Sequence, residues 1–85
     1  MSFFEQLQAR LDEQHSWPGP YLFKFVVPEP QRQHLLGLIP TGLLEERWSK
    51  NGRYVSLSLK TQMPHSQAVI EVYKRVQGVE GLISL

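Results

Sequence analysis

A chain of 85 residues, 41% of them hydrophobic, holds one domain around one core and is too short for two. Its formal charge of +1 gives no dominant electrostatic partner, because sequence-independent nucleic-acid binding rests on several Lys and Arg neutralising phosphates together. The absence of Cys removes disulfides, thiolate metal ligands and thiol nucleophiles; with an acidic N-terminal stretch and no apolar run of about 20 residues, the expectation is a cytoplasmic protein without a membrane span.

Residues 2 to 15 read as a helix. Ser2 can cap with Glu5 three positions on, and Phe4, Leu7 and Leu11 recur at helical spacing with Phe3 alongside. "WPGP" at 17 to 20 ends that helix, since Pro and Gly cannot continue it. "YLFKFVV", 21 to 27, is aromatic and β-branched and predicts a strand. Tyr21, Phe23, Phe25 and Val27 share one face, and Leu22, Lys24 and Val26 the other, so a central position is expected. In "QRQHLLGLIP" the run of Leu35, Leu36, Leu38 and Ile39 predicts a short helix limited by Gly37 and Pro40.

"WSKNGRYVSLSLK", 48 to 60, predicts the turn of a hairpin. Asn51-Gly52 is the preferred pair for a two-residue type I′ turn, in which both positions need positive φ. That turn sets Trp48 opposite Val55, Glu46 opposite Leu57 and Leu44 opposite Leu59 on an apolar face. Ser49 then meets Tyr54, Arg47 meets Ser56, Glu45 meets Ser58 and Leu43 meets Lys60 on a polar face. From Pro64 to Gln77 the spacing of Val69, Val72, Tyr73 and Val76 predicts a helix, with a Glu71–Arg75 pair on its wet side and Gly78 as the stop. "VEGLISL" closes the chain as a last strand.

After the first helix, the order strand, helix, strand, strand, helix, strand is the split βαβ pattern of a ferredoxin-like α+β sandwich. Right-handed crossovers place two helices on one face of a four-stranded antiparallel sheet, with the first and third strands central. The expected organisation is an N-terminal helical arm at 1–16 and a ferredoxin-like domain at 17–85. The apolar hairpin face (Leu44, Trp48, Val55, Leu57, Leu59) should lie under the helices, and the polar face should stay open.

"WPGPYLFKF" at 17 to 25, "SKNGRYVSLSL" at 49 to 59 and "AVIEVYKRVQGVEGLISL" at 68 to 85 together resemble the YbeD-like family, small bacterial proteins classed as a domain of unknown function. The resemblance covers roughly residues 17 to 85. It implies a βαββαβ domain similar to the ACT domains that sense amino acids and regulate enzymes, and it brings no biochemical activity. The segment between the first two strands is shorter than is usual in that family, and residues 1 to 16 form a longer arm.

No residue pattern points to an enzyme or to a cofactor. His15, His34 and His65 are dispersed without metal-ligand spacing. The serines lack a nucleophile-elbow setting, Asp12 is the lone Asp, and Glu45 and Glu46 point to opposite sheet faces, where they cannot share a substrate. The expectation is a non-enzymatic regulatory or protein-interaction module. Its candidate surface is Tyr54, Lys60, Lys24 and Arg47 on the open sheet face, and Phe3, Phe4, Leu7 and Leu11 on the arm, which would cap its own domain or dock on another subunit. An ACT-like sensor of a small metabolite such as an amino acid is the alternative, although its ligand loop "VVPEPQ" has no Gly for close backbone approach. RNA binding ranks below both, because "RYVSLSL" lacks the paired aromatics of base-stacking sheets.

Overall fold

The computed structural model describes residues 2–85, so residue 1 of the expected arm lies outside the described residues. The elements run α1 (Phe3–Gln14), β1 (Gly19–Pro28), a single 3-10 turn (Glu29–Gln31), α2 (Arg32–Leu36), β2 (Leu43–Trp48), β3 (Tyr54–Met63), α3 (Ser66–Val76) and β4 (Ile83–Ser84). Among the described residues this is an α+β chain with one four-stranded antiparallel sheet in the order β2-β3-β1-β4. β1 and β3 are central and pair along their whole length, from Gly19 opposite Met63 to Pro28 opposite Tyr54.

Along the middle of β1 and β3 every second residue faces inward and is apolar, the period-two alternation of a strand. Phe23, Phe25 and Val27 of β1 and Val55, Leu57 and Leu59 of β3 are buried. The same core takes in Leu11 from α1, Leu35 from α2, and Val69, Ile70, Val72 and Val76 from α3. The aromatic side of β1 therefore faces inward, where Phe23 and Phe25 stack 6.0 Å apart and Tyr73 of α3 meets each edge-on.

Local signals account for most element ends. Ser2 caps α1 by accepting from the Glu5 N–H at 3.2 Å. α3 begins at Ser66, two residues later than the expected Pro64, because the His65 side chain is its N-cap and accepts from the Ala68 N–H at 3.1 Å. Its end also differs from the expectation. Gly78 does not adopt positive φ, and the helix instead closes through i to i−3 bonds, Gln77 N–H to Lys74 O and Val79 N–H to Val76 O. Nor do Glu71 and Arg75 pair: Gln67 donates to Glu71 at 2.7 Å, and Arg75 Nε reaches the Leu38 carbonyl at 3.1 Å.

The hairpin keeps its expected register and loses its expected turn. Trp48 lies opposite Val55, Glu46 opposite Leu57 and Leu43 opposite Lys60. Asn51 has no positive φ, which excludes type I′; the Gly52 N–H bonds Ser49 O at 2.9 Å, and Gly52 alone turns left-handed, at φ +74°. Side chains finish the loop: Asn51 Oδ1 accepts from the Arg53 N–H, and Ser49 Oγ from the Tyr54 N–H. A second correction concerns coverage. Leu44 and Trp48 share the face of Val55 and Leu57 but are 40% and 46% exposed, since β2 is the sheet edge and every residue in it is exposed.

The last strand is shorter than expected. Of 79 to 85 only Ile83 and Ser84 pair with β1, opposite Val26 and Phe25, and the Leu85 N–H adds a bond to Lys24 O. Gly81, at φ +76°, turns the chain into this strand.

Candidate functional site: the open sheet face

The buried residues of the three helices join the core that contains the inward side chains of β1 and β3, while on the other sheet face Leu22, Lys24, Tyr54 and Lys60 are exposed. Strand register builds that face in rows. Leu43, Lys60 and Leu22 form one row, Glu45, Ser58 and Lys24 the next, then Arg47, Ser56 and Val26, with Tyr54 beside Pro28 at the turn end. The structure thus brings Lys24, Lys60 and Arg47 onto one surface with Glu45 among them, and sets Tyr54 at its end. Leu22, Leu43 and Tyr54 are exposed large side chains there.

The surface has two shallow adjoining depressions. One of about 320 Å³ lies among Lys24, Glu45, Arg47, Ser56 and Ser58. Its neighbour, of about 360 Å³, is bounded by Leu22, Leu43, Ser58 and Lys60. Serine hydroxyls on the floor with charges of both signs on the rim suit hydrogen bonds and charge pairs to an extended or flat partner. The depressions are not a deep cleft that excludes water.

The arm residues lie elsewhere. α1 packs on α3, with Leu11 buried and Phe4 and Leu7 half-buried against the core, while Phe3 is 72% exposed. Gln8 donates to Ser66 at 3.4 Å and Lys74 Nζ sits 5.5 Å from the Phe4 ring centre, which ties the helix along its length. The stripe therefore packs in cis on the helical side and leaves the open sheet face bare. It also forms one wall of an apolar groove of about 510 Å³, opposite Tyr73, Leu82 and Leu85, which helical spacing alone did not announce.

Two polar pairings also escaped the sequence. Arg32 Nε donates to Glu46 Oε1 at 2.7 Å, and this hydrogen bond holds the guanidinium above its ordinary pKa. Tyr21 and Tyr73 join hydroxyls at 2.9 Å; burial first, then that bond, pushes the Tyr73 phenol well above its ordinary value. The tyrosines sit fifty-two positions apart, a distance no local pattern bridges.

The histidines have separate employments. His15 packs against Trp17 and Tyr21, His34 bonds Gln31 and His65 caps α3. Among the described residues no three His, Cys, Asp or Glu side chains gather as a metal site, and no helix is long and apolar enough to cross a membrane. No family model, curated protein or solved structure matches the chain.

Proposed function

We propose that this chain is a small, non-enzymatic, cytoplasmic binding domain of the YbeD-like kind, a regulatory or protein-interaction module on a ferredoxin-like framework. The strand order β2-β3-β1-β4 and the position of α2 and α3 in the chain support the framework. One observation carries the functional reading. The buried side chains of the helices cluster with Phe23, Phe25, Val27, Val55, Leu57 and Leu59, and the alternate residues of the sheet offer exposed Leu22 and Leu43 among Lys24, Lys60, Arg47 and Glu45. Serine hydroxyls in the middle of the face, with charges of both signs and exposed leucines around them, offer a protein partner hydrogen bonds, charge pairs and apolar contact.

The test is site-specific photo-crosslinking in the source cells, with the reactive group at Ser58 on the open face or at Gln67 on the exposed side of α3. A discrete adduct with another protein from Ser58, lost in Lys24→Glu/Lys60→Glu, supports the reading. No adduct from Ser58, or the same adducts from both positions, rejects it.

A further inference from the structure

β2 is paired on one side only, to β3. The Ser49 N–H bonds Tyr54 O, so by antiparallel alternation Arg47, Glu45 and Leu43 also bond β3. The N–H and C=O groups of Leu44, Glu46 and Trp48 therefore point out of the sheet. Of the features that blunt such edges, residues 43 to 48 have no Pro, Lys or bulge. They do carry charges at Glu45, Glu46 and Arg47, with Glu46 on the inward side, so a partner strand must answer each of these charges. Two large apolar side chains, Leu44 and Trp48, stand exposed on the same edge.

We infer that β2 pairs antiparallel with β2 of a second copy of this chain, about a twofold axis through Glu46, joining the two sheets into one. Self-complementarity of the strand carries the inference. In this register Leu44 of each copy lies opposite Trp48 of the other on the helix side, and Glu45 of each lies opposite Arg47 of the other on the open side. A twofold axis makes both contacts twice. The outward-pointing backbone groups match as well, since Leu44 meets Trp48 and Glu46 meets Glu46, all with free donors and acceptors.

The two Glu46 side chains meet at the axis, and each is already neutralised by Arg32 of its own chain at 2.7 Å. Arg32 also stands 6.0 Å from the Trp48 ring centre, which holds that indole beside the edge. Neighbouring registers fail on charge. An axis through Glu45 opposes two Glu45 carboxylates and sets Leu44 against Glu46; an axis through Arg47 opposes two guanidinium groups and sets Trp48 against Glu46. Like charges directly opposite destabilise a strand pair. The strand's alternation of Leu, Glu, Arg and Trp thus selects one self-pairing.

This inference uses the strand edge and stands independently of what the open face binds. Sedimentation equilibrium of the full chain, from micromolar to millimolar concentration, tests it. The expected species is a dimer. Glu45→Arg and Arg47→Glu each weaken it by at least about tenfold, and the double variant, which swaps the charges, restores it to within about threefold of the parent. Glu46→Pro removes an outward N–H while leaving the bonds to β3, and should give a folded monomer by circular dichroism. A chain monomeric at millimolar concentration overturns the inference. So does a dimer whose charge-swapped double variant is not restored, and this readout stands even if Glu46→Pro fails to fold.

Discussion

The hydroxyls of Tyr21 on β1 and Tyr73 on α3 lie 2.9 Å apart, the polar tip of an otherwise aromatic seam between sheet and helix. Tyr73 is held protonated by burial and by this bond, whereas in the unfolded chain it ionises near its ordinary value of 10.0. Above that pH the unfolded state binds fewer protons than the native one, so stability falls as pH rises past about 10 and is flat in this respect below about 9. Tyr73→Phe should cost about 1 kcal/mol at neutral pH and reduce the alkaline slope. Denaturant unfolding of both proteins from pH 8 to 11 measures it; parallel curves would remove Tyr73 as the source.

Leu11 and Phe3 belong to the same helix and should behave differently on truncation. Leu11 is 4% exposed, and Leu11→Ala leaves a cavity costing about 2 to 3 kcal/mol. Phe3 is 72% exposed, and Phe3→Ser should change stability by less than about 0.5 kcal/mol. Equal effects in urea melts would mean that α1 is not docked as described.

Two left-handed glycines separate backbone strain from steric strain. Gly52 has open space around it, so Gly52→Ala should cost about 1 kcal/mol for the positive φ alone. A Cβ on Gly81 would sit 2.7 Å from Pro28 Cγ, adding a clash to the same backbone penalty. Gly81→Ala should therefore be the more damaging in thermal unfolding.

His65 works as an N-cap, a position better served by Asp or Ser. His65→Ala should destabilise by about 1 kcal/mol, whereas His65→Asp should preserve or raise stability, because its carboxylate caps the helix and opposes the positive end of the dipole. Loss of stability in the Asp variant would assign His65 a different role.

What the sequence made legible follows from how locally each feature is encoded. The inward face of β1 is readable because aromatics at 21, 23 and 25 alternate with a lysine at 24. The hairpin register is readable even though the turn is not. A two-residue loop at Asn51-Gly52 and the observed Ser49-to-Gly52 turn lie inside the same Ser49–Tyr54 pair, so either gives one register. Exposure of Leu44 and Trp48 is not local information, since it depends on β2 being the edge strand of the sheet. The same holds for Arg75, whose partner is a carbonyl thirty-seven residues away. Lys24, Lys60, Arg47 and Tyr54 could be placed on one face because strand alternation fixes it. The packing of the arm on α3, and the groove beside it, arise from tertiary contacts that periodicity does not specify.

Along β3 the residues that hold the fold and the residues that meet the outside world are interleaved one by one. Val55, Leu57 and Leu59 are sealed, while Tyr54, Ser56, Ser58 and Lys60 stand between them on the uncovered side. Substitution at the second set leaves the first untouched, so the chemistry of the uncovered side can change without disturbing the core. A saturation mutagenesis map of β3 would read as a two-beat rhythm, intolerant and permissive in turn. The permissive beats are where lineages of this architecture are free to diverge.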